Sequence, residues 1–220
     1  MRSLDELINR DDPGIVQIRE WASQRDGNGA VLLAPDRALA DASLLRLQVT
    51  TRSLLGAIVY ETGGILVGDG LLRLLGSGTE RSLLDCNRRA GLLEGDAYPP
   101  VLLIADDALG GLFALNGGGF GSETIGEVYH LAADTKDWMT LGVGHSDFVS
   151  WCLLDDLKAF YEPLAALDAF KRRPRPPITS VYSFYPFLWT KEARDNVDVR
   201  VISADDSLAL RLSISGPGIG

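Results

Sequence analysis

The sequence predicts an α+β fold, a mostly antiparallel sheet of about six strands flanked by amino-terminal and carboxy-terminal helices. Three observations predict it. Apolar residues at helical spacing cluster before residue 47 and again after residue 146. Between them lie short apolar runs bounded by glycine, the mark of strands joined by tight turns. The regular strand–helix alternation of a doubly wound parallel sheet is missing.

The elements follow in order. Leu4, Leu7 and Ile8 form a short amphipathic face, with Ser3 and Glu6 spaced as a capping box. Asp12-Pro13 starts a second helix carrying Ile15, Ile18 and Ala22, which stops in the loop 25–29. A strand at 30–33 precedes Pro35-Asp36 and a third helix with Ala38, Ala42 and Leu45, ending near Leu47. Three apolar runs then follow at 57–60, 65–67 and 71–75, separated by Gly63-Gly64 and Gly68-Asp69-Gly70. All three read as strands, with Glu61 and Thr62 forming a polar corner between the first two. Ser82 or Thr79 opens a short helix closed by Gly91. Strands are expected at 101–105, 112–115, 128–131 and 138–141, the last two as a hairpin about the turn at 134–137. Ser146 reads as the cap of a helix carrying Phe148, Val149, Trp151 and Cys152, and Asp155 or Asp156 as the cap of another with Leu157, Phe160, Tyr161 and Leu164. A proline-rich connection at 171–177 leads to an aromatic strand at 181–189, where Pro186 argues for an edge. Residues 204–212 fit either period, and the cap at Ser203 favours helix. Residues 1–195 read as one α+β domain and 196–220 as an extension.

A chain of 220 residues, 46% hydrophobic, has the material for a sizeable core. It has no apolar run of membrane-spanning length and no signal-type apolar segment near Met1, so the expected compartment is the cytosol. A net charge of −9 disfavours nucleic acid and suits a basic protein partner, although it also simply favours solubility. Cys86 and Cys152 belong to no C-x-x-C pair, so no disulfide framework, zinc site or other cofactor is expected.

The chemical motifs fail on spacing. Gly117-x-Gly119 is followed by Ser122 where the dinucleotide fingerprint needs glycine. Gly144-His145-Ser146-Asp147-Phe148 has Phe148 where a nucleophile elbow needs glycine. His130 and His145 are the only histidines, and neither has an assignable carboxylate partner. Glu61 stands out among the acids because apolar segments flank it. It is either a general acid/base or partner-binding charge, or a strand-end carboxylate that is solvated or paired with Arg52 or Arg73. The candidate binding residues are Thr50, Thr51, Arg52, Tyr60, Glu61, Thr62 and Asn116. Catalysis would need a pocket joining Arg52, Tyr60, Glu61 and Asn116. Exposed members of the aromatic set Trp21, Trp138, Trp151 and Trp189 would instead mark a partner surface.

The blocks LQVTTRSLLGAIVYETGGILV, GLFALNGGG, GEVYHLAADTKDWMTLGVGHSDFVSWC and SFYPFLWTKE resemble an uncharacterised bacterial domain-of-unknown-function family. That resemblance implies one family domain and supplies no activity. Residues 111–151 are more loosely similar to the SUKH superfamily, the Smi/Knr/Syd-like α+β domains. This second resemblance implies a protein-binding module, toxin neutralisation as an immunity protein being one such role, and carries over no catalytic residues. The leading expectation is therefore a cytosolic protein-binding module; the alternative is a hydrolase or transferase that binds a small molecule around Glu61.

Overall fold

The computed structural model describes residues 1–24, 27–95, 97–165, 174–194 and 197–215. Seven strands form one antiparallel sheet in sequence order: β1 (Ala30–Leu33), β2 (Gly64–Val67), β3 (Leu72–Leu75), β4 (Val101–Asp107), β5 (Leu112–Asn116), β6 (Glu127–Leu131) and β7 (Met139–Gly144). Two more, β8 (Ser180–Tyr185) and β9 (Asp198–Ser203), pair separately along their full length. The helices are α1 (Leu4–Leu7), α2 (Ile15–Ala22), α3 (Arg37–Leu47), α4 (Leu54–Glu61), α5 (Leu83–Arg89), α6 (His145–Leu154), α7 (Leu157–Ala165) and α8 (Ala204–Ile214). The α+β class is observed, with seven main strands where about six are expected.

The sheet is covered on both faces, and alternation along its strands shows how. Leu102 and Ile104 on β4, and Phe113 and Leu115 on β5, join the large core with α2, α3, α4, α6 and α7. Their neighbours Val101, Leu103, Leu112 and Ala114 face the other way, into a smaller core completed by Leu131 and by Leu208 of α8. The small sheet docks on the β4–β5 turn, where Tyr182 N donates to Ala108 O at 2.8 Å.

Three readings need correction. Residues 57–60 belong to α4 and not to a strand: Ser53 Oγ accepts from Gly56 N and caps the helix. Leu54 through Val59 are all buried, so no polar face breaks the apolar run and the helical period cannot show. Ser146 does not cap α6, because His145 already opens that helix and Gly144 is its N-cap. Pro186 lies just beyond β8, which ends at Tyr185. Asp156 does cap α7, accepting from Lys158 N and Ala159 N at 3.1 Å each. Helix over strand also holds at α8, where Ser203 Oγ accepts from Asp205 N and Asp206 N. Of the proline-rich connection, residues 171–173 lie outside the described residues, and 174–177 have no regular structure.

Candidate functional site

The seven candidate residues separate into three places. Thr51 is a buried staple for the amino-terminal segment. Its Oγ1 accepts from Asn9 N at 2.7 Å, its N–H donates to Leu7 O, and its carbonyl accepts from Gly14 N. The Thr50 carbonyl accepts from Ser53 N and Ser53 Oγ, setting the entry to α4. Arg52 reaches Asp12 at 3.3 Å on the exposed surface, an arrangement worth little in water. Thr62 closes α4: its Oγ1 donates to Ile58 O and accepts from Gly64 N.

Tyr60 and Glu61 form the second place. The partner of Glu61 is Arg37 at 3.7 Å, neither Arg52 nor Arg73. The same Arg37 lies 5.4 Å from the Tyr60 ring centre and donates to the Tyr60 carbonyl. These contacts tie the start of α3 to the end of α4.

Asn116 is the third. Its Oδ1 accepts from Gly118 N and Phe120 N, and its Nδ2 donates to Gly121 O and Thr124 Oγ1. One buried amide thus shapes the glycine-rich loop after β5. Three strand steps separate β5 from β2, roughly 14 Å at the usual strand spacing. No hydrogen bond, ion pair or ring contact joins Asn116 to Arg52, Tyr60 or Glu61 among the described residues. The pocket required for catalysis at Glu61 is not assembled by these contacts.

The structure concentrates chemistry elsewhere. Beside β7 runs a groove of about 450 Å³, lined by Leu141, Val143, Phe148, Trp151 and Phe160. Leu141 and Val143, on either side of Gly142 in one strand, both line the groove. Trp151 meets Phe160 edge-on, with ring centres 4.8 Å apart, and Phe148 at 6.0 Å. Among the described residues, the charged side chains lining the groove are Asp147 and Asp155, both acidic. Beneath, His130 stacks on Phe113 at 4.3 Å and lies 5.3 Å from Phe160. Burial, helped by the charge of Arg211, pushes the His130 pKa down to about 3. Burial likewise takes His145, at the mouth of α6, down to about 4. Both imidazoles are neutral near pH 7 and placed for packing.

Around the corner between α6 and α7 lies a second, polar cleft of about 550 Å³, flanked by Asn28, Asp69, Asp155, Asp156, Lys158 and Arg175. Asn28 spends its amide on the Cys152 and Asp155 carbonyls, so it braces the corner. Among the described residues no group of three or more His, Cys, Asp or Glu side chains is placed to hold a metal ion. No helix among them is long and apolar enough to cross a membrane.

The sequence places Trp151 on a helix with Phe148 and among four tryptophans of which exposed members would mark a partner surface, without singling it out. All four are half-buried at the core margin rather than enclosed. The available signal was the adjacency of Leu141 and Val143 in one strand to Phe148 and Trp151 in the next helix, which a strand ending at 141 concealed.

Similarity to known proteins agrees with this architecture. The chain is 40% identical over 199 residues to "Putative uncharacterized protein YbfG" of Escherichia coli (strain K12), covering 88% of this chain and 89% of that one. It is 36% identical over 167 residues to an "Uncharacterized protein" of Haemophilus influenzae, covering 74% of this chain and 72% of the relative. The crystal structure of Atu4351 from Agrobacterium tumefaciens shares the fold, with a TM-score of 0.50 at 13% identity over 81% of each chain. Residues 4–205 match the family described as "Protein of unknown function DUF2625", and the chain belongs to that family.

Proposed function

We propose that the protein is a protein-binding module whose groove beside β7 takes an extended, basic segment of a partner protein. One observation carries the reading: an edge strand lies beside an apolar, aromatic groove whose only charged lining residues, among those described, are acidic. Among the described strands β7 pairs with β6 alone, so its outer edge carries no partner strand there and is the edge that an extended segment would join. A register shift opposite Glu127–Tyr129 and Gly142 at φ 69° bend the strand. Such a bend blunts indiscriminate edge-to-edge pairing, leaving the groove as the selective contact. Trp151, flanked by Phe148 and Phe160, is the kind of half-buried aromatic that dominates binding energy. Asp147 and Asp155, on a chain of net charge −9, suit lysine or arginine on either side of the inserted apolar residue. Neutralisation of a basic toxin, the role that the SUKH resemblance implies, is one form this binding would take.

The test is an array of ten-residue peptides that alternate apolar residues with lysine or with glutamate, read by amide chemical shifts of the full chain. Basic peptides are expected to bind, to shift the β7 and α6 amides, and to weaken as salt rises. Trp151→Ala is expected to lower the affinity by at least tenfold, the scale of an interface hot spot. Equal binding of acidic and basic peptides, or shifts that map away from β7, would sink the proposal.

A further inference from the structure

Helix α8 carries a second unusual group, a buried arginine. Arg211 is only 3% exposed. Its guanidinium carbon lies 4.7 Å from the Trp189 ring centre, and Trp189 stacks on Phe187 at 4.5 Å and 11°. One terminal nitrogen closes the β6–β7 turn, donating to Ala132 O at 2.6 Å and Thr135 O at 2.8 Å. The other terminal nitrogen and Nε are buried and have no hydrogen-bond partner among the described residues. The carboxylates Asp107 and Asp134 act on the cation through space and do not bond to these nitrogens.

Arg211 lines a small cavity of about 30 Å³ together with Ser183 and Ser207, under walls that include Phe184, Leu188 and Leu210. Every polar side chain in that lining can donate a hydrogen bond, and none is a carboxylate. Burial lowers the Arg211 pKa to about 10 against the through-space pull of Asp107 and Asp134, so the group stays cationic at neutral pH.

We propose that this cavity is a binding site for a small monovalent anion of halide size, held by the two unpartnered Arg211 nitrogens and the Ser207 hydroxyl. The volume holds one such ion or one to two waters, and is too small for a phosphate ester. Water would accept from both N–H groups but would leave the desolvated cation with no counter-charge in direct contact, since Asp107 and Asp134 act only through space. An anion supplies both. The site is separate from the β7 groove and does not depend on how that groove is used.

The test uses the full chain in sodium bromide against sodium gluconate at constant ionic strength. Thermal unfolding midpoints are expected to rise with bromide, because a ligand that binds only the folded state stabilises it in proportion to ln(1 + [L]/Kd). Ser207→Ala, which removes one donor and leaves the turn contacts of Arg211 intact, is expected to raise the half-maximal bromide concentration at least threefold. Bromide-soaked crystals are expected to show an anomalous peak within hydrogen-bond distance of Arg211. Water density without that peak, or equal midpoints in bromide and gluconate, overturns the proposal. A bromide response that is identical in Ser207→Ala overturns the assignment to this cavity.

Discussion

Gly56 sits inside α4, where alanine would ordinarily be the better helix former by about 1 kcal/mol. A Cβ there would meet the Thr50 carbonyl oxygen and carbon well inside van der Waals contact. That carbonyl is already fixed, since it accepts from both Ser53 N and Ser53 Oγ. The clash therefore falls on backbone that cannot move without disturbing the α4 cap. Gly56→Ala is expected to destabilise the fold by roughly 1–3 kcal/mol despite its propensity gain, the range for overpacking a filled core. Urea unfolding checks it, and an unchanged or raised midpoint would contradict the contact. The same residues show what was legible at this scale. Thr50, Thr51, Arg52, Tyr60, Glu61 and Thr62 stand out in the sequence as candidate binding residues. Their hydrogen bonds explain them as the two ends of one buried helix, a role that needs Thr51 and Thr62 hydroxyls at fixed places. Nothing in a linear sequence links Thr51 to Asn9, and only the folded chain supplies that link.

At the scale of elements, the strand pair β3–β4 places Arg73 directly opposite Asp106 in the sheet. Arg73 Nε donates to Asp106 Oδ1 at 2.7 Å, and Arg81 stands 2.7 Å from the other carboxylate oxygen. Arg81 continues to Asp205 of α8 at 2.9 Å, and Arg73 also donates to the Ser180 carbonyl at 2.8 Å. One charged chain thus fastens the main sheet to the carboxy-terminal helix and to β8. Asp106→Asn leaves two arginines, both nearly inaccessible, facing a neutral amide. Breaking one partner of a buried pair costs about 3–5 kcal/mol, and this substitution is expected to fall in that range. Replacing Arg73 and Asp106 together is expected to cost less than the sum of the single changes. A double-mutant cycle showing simple additivity would rule out the coupling. Element starts were legible where a cap residue preceded an apolar run, as at Ser82 and Asp156, and at Ser203 the cap alone decided between two periods. They were hidden where burial on every side erased the period, as in α4, and where the sequence gives no hint of a cross-sheet partner, as for Arg73.

For the whole molecule, the two histidines set how stability responds to acid. His130 is pinned between Phe113 and Phe160, with its Nε2 buried and unpartnered, and its folded pKa lies near 3. In the unfolded chain the same group titrates near 6.5. Above that value both states are neutral, and the group contributes no pH dependence. Below it the unfolded chain takes up a proton that the folded chain refuses, so stability falls progressively from pH 6.5 towards 3. At pH 5 the difference amounts to about 2 kcal/mol from His130 alone, since 1.5 pH units lie between 6.5 and 5. His145, lowered to about 4, acts in the same direction over nearly the same window. Asp107 works oppositely: burial raises its pKa, against hydrogen bonds from Gly111 N, Leu109 N and Tyr161. Its contribution is lost as pH rises through the folded value and regained in acid, which offsets part of the histidine effect. His130→Phe preserves the stack on Phe113 while removing the titration. Between pH 7 and pH 5 the variant is therefore expected to lose about 2 kcal/mol less stability than the natural chain, as read from urea midpoints at the two pH values. Parallel loss in the two proteins would show that His130 is protonated in the folded state, and would undo the assignment of that ring to the core.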